Sequence, residues 1–130
     1  MEQNGTLTVR VFTSSAQLPI QGATVVVTQK RRNGKYDLLS VQATDSSGLI
    51  RPVEIAAPTA GNSTEVSENT MPNAVCEVWA EAPGYAMLKV DGVQIFPGVV
   101  TEQRMELIPL EEGEHGLDWV DQREITGQNL

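Results

Sequence analysis

Residues 7–12 read Leu-Thr-Val-Arg-Val-Phe, and aliphatic side chains alternate there with other residues at a period of two. This alternation is typical of a β-strand, because successive side chains of a strand point to opposite faces of its sheet. Leu7, Val9 and Val11 form the predicted inward face, and Phe12 lies on the other. The chain is therefore predicted to open with a half-buried strand.

The same pattern recurs along the chain as far as residue 108. Residues 23–28, Ala-Thr-Val-Val-Val-Thr, predict a second strand that is rich in β-branched residues. Seven short strands with turn signals about every ten residues predict an all-β, Greek-key β-sandwich and no long helix. The other predicted strands span 36–43, 49–55, 75–81, 85–90 and 101–108, with a brief extended piece at 93–96; the inward residues predicted beyond the first strand are Ala23, Val25, Val27, Leu39, Val41, Ala43, Cys76, Val78, Ala80, Met105 and Leu107.

Gly, Asn, Asp and Pro mark the connections between these strands. Asn33-Gly34 favours a tight hairpin, because both residue types tolerate positive φ. Residues 45–48, Asp-Ser-Ser-Gly, and the pair Asp91-Gly92 are predicted turns. Pro52 cannot donate a ladder hydrogen bond, which places the strand at 49–55 at a sheet edge.

The chain has 130 residues and a formal net charge of −8, which predicts one domain. Its acidity argues against nucleic acid and against an anionic membrane surface, because both need clustered positive charge. We predict a sandwich domain at 5–110 that contains a polar long loop at 58–74. Residues 111–130, with six acidic residues against Arg123, are predicted to be an acidic tail, linker or docking segment.

The sequence assigns no location in the cell. Residues 1–5 show no signal-peptide pattern. No apolar run approaches the ~18–20 residues that span a bilayer. Cytoplasmic and spore-associated settings both fit.

Few side chains in the sequence are candidates for catalysis or metal binding. The sole histidine, His115, falls in the acidic tail, where its spacing from acidic neighbours matches no standard metal loop, so we expect neither a metal nor a cofactor. Cys76, the sole cysteine, cannot form an internal disulfide and falls on an inward strand face. We therefore expect it to be a core residue rather than a nucleophile.

Several segments occur in an order that resembles a known family. Residues 5–11, 19–25, 44–49, 81–85 and 105–107 carry an opening strand, Pro-x-x-Gly-Ala-x-Val, Thr-Asp-x-x-Gly, Ala-Pro-Gly-Tyr and a closing strand. This order resembles the carboxypeptidase regulatory-like domains, which are prealbumin-like (transthyretin-like) sandwiches. Within that group, residues 90–99 and 107–110 look most like N-terminal domains of clostridial spore cortex-lytic and peptidoglycan-binding proteins. The resemblance implies a non-catalytic module.

This chain lacks the residues needed for two reactions of transthyretin-like and pilin-like sandwiches. Hydrolysis of 5-hydroxyisourate uses several histidines and a closing Tyr-Arg-Gly-Ser, whereas this chain has one histidine and no such motif. A Lys–Asn isopeptide bond needs a lysine in the opening strand and Asn or Asp in the last, and both are missing. We therefore expect that the protein is not an enzyme.

Two groups of residues are candidates for ligand or partner binding. Trp79, Phe12 and Val26 are predicted to face away from the core, where a tryptophan can stack on a sugar or anchor a protein. The alternatives are that the register assigned to these strands is wrong, or that the long loop or the tail covers that face. Arg31 and Arg32 flank the predicted hairpin and could contact an anionic polymer, or only keep the strand ends soluble.

These observations predict a non-catalytic binding or spacer module associated with bacterial cell-wall or spore proteins. Its expected partner is peptidoglycan or another protein. The alternative, from a different class, is a homo-oligomeric structural protein that assembles through a sheet face or an edge strand.

Overall fold

The computed structural model describes residues 2–30, 33–58, 73–110 and 120–124. Seven strands within residues 2–107 form two sheets, so the predicted all-β sandwich is confirmed. Among the described residues, no helix is long and apolar enough to cross a bilayer. The strands are β1 (Glu2–Thr13), β2 (Thr24–Lys30), β3 (Tyr36–Ala43), β4 (Val53–Pro58), β5 (Ala74–Glu81), β6 (Met87–Ile95), β7 (Val100–Leu107) and an additional β8 (Val120–Glu124).

The sheets have three and five strands. In the smaller sheet, with order β4-β1-β7, the central β1 pairs antiparallel with β4 and parallel with β7. The larger sheet has the order β3-β2-β5-β6-β8, and β8 pairs parallel with β6. The chain crosses between sheets after β1, β3, β4, β6 and β7, which leaves β2–β3 and β5–β6 as antiparallel pairs of consecutive strands.

The core lies between the two sheets and is aliphatic. It is formed by the inward residues that the alternation predicts for β1, β2, β5 and β7, all of which are buried. Each fully buried Leu, Ile, Val or Met contributes about 1.5–3 kcal/mol to folding. The fully inaccessible members of this set are Leu7, Val9, Val11, Ala23, Val25, Val27, Cys76, Val78, Ala80, Met105 and Leu107.

The turn at residues 45–48 forms as predicted and is fastened to β1. Asp45 accepts hydrogen bonds at Oδ1 from the backbone amides of Ser47 and Leu49. Gly48 adopts a φ of 76°, and its carbonyl oxygen accepts a 2.8 Å bond from the amide of Val11. The turn is thereby held against the smaller sheet.

The predicted inward face of β3 is wrong. Val41 is 56% exposed and Ala43 is exposed, whereas Gln42 lies directly opposite the buried Val25. Directly paired residues share a face, so Gln42 takes the inward position and Val41 the outward one. The register also shifts between Val27 and Thr28, which leaves Leu39 36% exposed.

Two other segments differ from prediction. The edge strand β4 begins after Pro52 rather than at Leu49, which makes only an isolated bridge to Arg10. β6 runs unbroken through Asp91-Gly92, so the predicted turn there is wrong. Gly92 has a φ of 75°, and the pairing with β5 shifts between Cys76 and Val78, so the dipeptide forms an irregularity within the strand.

β8 lies within the predicted acidic tail. Its backbone pairs with β6 from Met87 opposite Val120 to Asp91 opposite Glu124. The remainder of the tail and most of the predicted long loop, residues 59–72, lie outside the described residues.

Candidate partner-binding face

The outer surface of the larger sheet carries a shallow apolar depression around Trp79. Val26 of β2 lies directly opposite Trp79 of β5, so the two side chains share the outer face. We call this surface the Trp79 face. Its depression has a volume of about 280 Å³ and is lined by Thr24, Val26, Thr28, Trp79, Glu81 and Met87.

Polar contacts fix the indole of Trp79 in one orientation. Its Nε1 donates to Thr28 Oγ1 at 3.4 Å, and that hydroxyl donates to Glu77 Oε1 at 3.3 Å. Lys89 places its Nζ 4.6 Å from the ring centroid and pairs with Asp91 at 3.3 Å. Such a cation–π contact and hydrogen bond pre-organise an aromatic side chain for binding.

Glu77 is the buried charge of this face. Its residue surface is only 7% exposed. Burial raises the pKa of the Glu77 carboxyl and the negative charge of Asp91 raises it further, while the Thr28 hydrogen bond and the charges of Lys89 and Lys30 oppose the rise. Protonation of Glu77 is therefore easier in the folded protein than in an exposed glutamate.

The apolar surface continues from the Trp79 face to the β3 border of the sheet. Leu38 is opposite Thr28 and Val41 is opposite Val26, so both extend the outer face onto β3. Among the described residues, β3 pairs with β2 alone in its sheet. Its most exposed apolar side chains are Leu38 at 64%, Val41 at 56% and Tyr36 at 50%. We call this strand border the β3 edge.

The structure brings together two of the five predicted binding residues. Val26 and the half-buried Trp79 meet on the Trp79 face. Phe12 is only 7% exposed and lies on the smaller sheet, so it is not part of the Trp79 face, and its role in binding stays a prediction. Arg31 and Arg32 lie outside the described residues.

Met87, Leu38 and Val41 complete the surface and were not predicted as binding residues. Extending the period of two through residues 85–90 could have placed Met87 beside Lys89 on one face. The predicted inward Leu39 already implies that Leu38 faces outward, whereas the β2–β3 register shift gives no signal in the alternation, so Val41 could not be assigned to the outer face in the same way.

The chemistry of the described residues is limited. No group of three or more His, Cys, Asp or Glu within them could hold a metal ion. Burial, with a smaller contribution from the charge of Glu77, raises the pKa of the Cys76 thiol to about 12. Cys76 is therefore a neutral thiol at physiological pH, and His115 lies outside the described residues.

Comparison with known proteins identifies similar folds. No family model and no curated protein matches the sequence. Catechol 1,2-dioxygenase from Acinetobacter radioresistens superposes with a TM-score of 0.50 and 14% identity over 86% of this chain and 54% of that one. A minor pilin of Streptococcus agalactiae has a TM-score of 0.50 and 14% identity over 88% and 48%. Transthyretin from Sparus aurata has a TM-score of 0.44 and 15% identity over 78% and 89%.

The likeness is one of fold. This chain spans about half the length of the dioxygenase and the pilin. Identities this low carry no residue roles across. The prealbumin-like sandwich is the arrangement that the sequence predicts, whereas the carboxypeptidase regulatory-like and spore-protein resemblances stay predictions.

Proposed function

We propose that this domain is a non-catalytic binding module of a bacterial cell-wall or spore-related protein, and that the Trp79 face is its binding surface. One observation carries the proposal: Trp79 is held beside Val26 and Met87 at an apolar depression of about 280 Å³. This volume is near the lower end of ligand-pocket sizes. The wall or spore setting is supported by the sequence resemblance alone.

The chemistry of the depression favours an N-acetylated sugar of peptidoglycan as the occupant. The acetyl methyl group and the apolar side of the sugar ring match the surface formed by Val26, Trp79 and Met87. Thr24 and Glu81 at the margin of the depression supply hydroxyl and carboxylate groups for the sugar hydroxyls. The ligand is thus expected to stack rather than to be enclosed.

Titration with soluble peptidoglycan fragments tests this proposal. The indole N–H resonance of Trp79 is the reporter, because that group donates to Thr28 beside the depression. We expect saturable shifts of this resonance, and their loss in Val26→Glu. Leu18→Glu is the matched control, since Leu18 is 60% exposed in the loop after β1. An indole resonance that stays unchanged up to about 10 mM fragment would refute the glycan-binding role.

A second candidate function is self-assembly through the β3 edge. Within the described residues, β3 pairs on one side only, and it carries the exposed apolar side chains of Tyr36, Leu38 and Val41. Such an edge is a template for strand addition by another chain. Antiparallel pairing of two copies would also join their Trp79 faces into one surface.

Sedimentation of the chain over a range of concentrations tests the second function. We expect a monomer–dimer equilibrium that Leu38→Lys weakens, because an edge lysine opposes strand addition. Leu18→Lys is the control, since it places the same charge on an exposed leucine away from the edge. A monomer at high micromolar concentration, or equal effects of the two variants, would contradict assembly through β3.

A further inference from the structure

A second depression lies on the outer face of the smaller sheet, on the opposite side of the molecule from the Trp79 face. Its volume is about 380 Å³. Two arginines on neighbouring strands line it, and one of them, Arg104, lies over the buried Phe12 ring; hydroxyl and amide side chains complete the wall. We call it the arginine pocket; its lining includes Arg10, Phe12, Gln17, Ser46, Ser47 and Arg104.

The two arginines are placed together by strand register. Arg10 of β1 lies directly opposite Arg104 of β7 in the parallel pair, and both are exposed. Like charges directly opposite each other on a sheet are destabilising. In the part of the chain that the structure describes, neither arginine forms an ion pair with a carboxylate. An anion bound between them would remove this repulsion.

Acidic side chains also lie nearby on β7. Glu102 and Glu106 stand two residues to either side of Arg104 and share its face of the strand. Neither approaches Arg104 or Arg10 closely enough to form an ion pair within the described residues. These carboxylates lower the local positive potential, so the pocket is expected to bind an anion weakly.

Phe12 orients one of the guanidinium groups. The Cζ atom of Arg104 lies 5.0 Å from the centroid of the Phe12 ring. Phe12 is 7% exposed, so the ring forms an apolar floor covered by the guanidinium. A planar guanidinium held in this way is pre-organised for bidentate contact with a carboxylate.

The remaining wall comes from two loops. The turn that contains Ser46 and Ser47 is held against β1 by the hydrogen bond from the amide of Val11 to the carbonyl oxygen of Gly48. Gln17 has a φ of 54°, an uncommon conformation for a residue other than glycine. The pocket therefore combines cationic, hydroxyl and amide donors with an apolar floor.

We propose that the arginine pocket binds a carboxylate, carried by an acidic sugar or by the C-terminus of a peptide. The opposed guanidinium groups of Arg10 and Arg104 would hold the carboxylate, and Ser46, Ser47 and Gln17 would meet polar groups beside it. The remainder of the ligand would lie against Phe12. This proposal does not depend on the function of the Trp79 face.

Titrations with sodium glucuronate and with N-acetyl-alanyl-alanine test it at constant ionic strength. Side-chain Nε–Hε resonances of Arg10 and Arg104 are the readout, and glucose is the neutral control. We expect saturable shifts with at least one carboxylate and none with glucose. Binding of glucuronate alone indicates an acidic sugar, and binding of the peptide alone indicates a C-terminus. Shifts that sodium chloride reproduces, or that glucose causes equally, would overturn the proposal.

Substitutions of the two arginines test whether the carboxylate binds in the arginine pocket. Arg10→Gln and Arg104→Gln are each expected to weaken carboxylate binding about tenfold or more, since each removes a charge-assisted hydrogen bond. Arg51→Gln is the matched control, because Arg51 is exposed outside the pocket. Equal affinity of Arg10→Gln and the unaltered chain would contradict the site.

Thermal unfolding provides a second readout without ligand. Arg10→Gln is expected to raise the melting temperature, because it relieves the repulsion from Arg104. The carboxylate that binds should raise the melting temperature of the unaltered chain and not that of the variant. A lower melting temperature of the ligand-free variant would show that Arg10 is not destabilised by the like charge of Arg104.

Discussion

At the residue scale, a side chain at positive φ has two energetic costs, backbone strain and overlap with neighbouring atoms, and substitutions at Gly48 and Gly34 can distinguish them. Gly48 has a φ of 76°, and a Cβ there would overlap the carbonyl oxygen of Val11. Gly34 has a φ of 85° in open space. Gly34→Ala is expected to lower the free energy of unfolding by about 1 kcal/mol. Gly48→Ala should cost clearly more, about 3 kcal/mol, because strain and overlap add.

Urea denaturation of both alanine variants measures these costs. The matched pair keeps the change in composition constant, so the difference reports the contact between the turn and β1. Equal losses in the two variants would show that the turn can move away from Val11 without penalty.

Glu77 gives the stability of the domain a defined dependence on pH. Its pKa is raised in the folded state, mainly by burial, above the ordinary value of 4.5. Its contribution to stability is therefore fully present below the pKa of the unfolded chain and is lost as the pH rises through the folded pKa. Glu77→Gln does not titrate and can still accept the hydrogen bond from Thr28.

The unfolding free energy of Glu77→Gln, relative to the unaltered chain, should increase as the pH rises above 4.5, the ordinary pKa of the carboxyl, and through its raised pKa in the folded chain. Denaturation at several pH values measures this difference. Glu102→Gln is the control, because Glu102 is exposed. A difference that stays constant with pH, or one that falls, would contradict a raised pKa for Glu77.

Individual residues also show how far sequence alone could reach. The alternation in β1 predicted the buried Leu7, Val9 and Val11 correctly because that strand pairs without a register shift. The same alternation placed Phe12 on the outer face, which it does occupy, and could not show that Arg104 covers it. Burial on an outer face depends on neighbours distant in the sequence.

At the element scale, errors coincide with irregular pairing. Strand β3 was predicted with the correct bounds, yet its inward residues were wrong because Gln42, and not Val41, lies opposite the buried Val25. Gln42 accepts a 2.8 Å bond from the amide of Arg51, so an inward polar residue is satisfied at the side of the sandwich. A one-residue difference in register exchanges the two faces of a strand.

Strand β8 is expected to slow amide hydrogen exchange along the border of β6 with which it pairs. It pairs with β6 from Met87 to Asp91, so truncation after residue 110 removes these backbone bonds. Amide hydrogen exchange should then become faster at the β6 amides that face β8. The β2–β5 pairing is the internal control, since it does not involve β8. Unchanged exchange at β6 would contradict the pairing.

At the scale of the whole molecule, Cys76 reports complete opening of the sandwich. It is fully inaccessible, and its pKa is raised to about 12. A thiol reagent at about pH 8 should therefore react with Cys76 only as fast as the domain unfolds. The Ser14→Cys variant adds an exposed thiol and should show one fast and one slow reaction in the same molecule. Two fast reactions would show that the core opens locally.

The parallel pairing of β1 with β7 has a mechanical consequence. The paired residues run from Thr6 opposite Val100 to Thr13 opposite Leu107, so the start of β1 and the end of β7 point toward opposite ends of the domain. Tension applied between Glu2 and Leu107 would load these interstrand bonds in shear, all together, instead of opening them one after another. A domain with this strand arrangement is expected to resist stretching, and to unfold abruptly once the force is high enough.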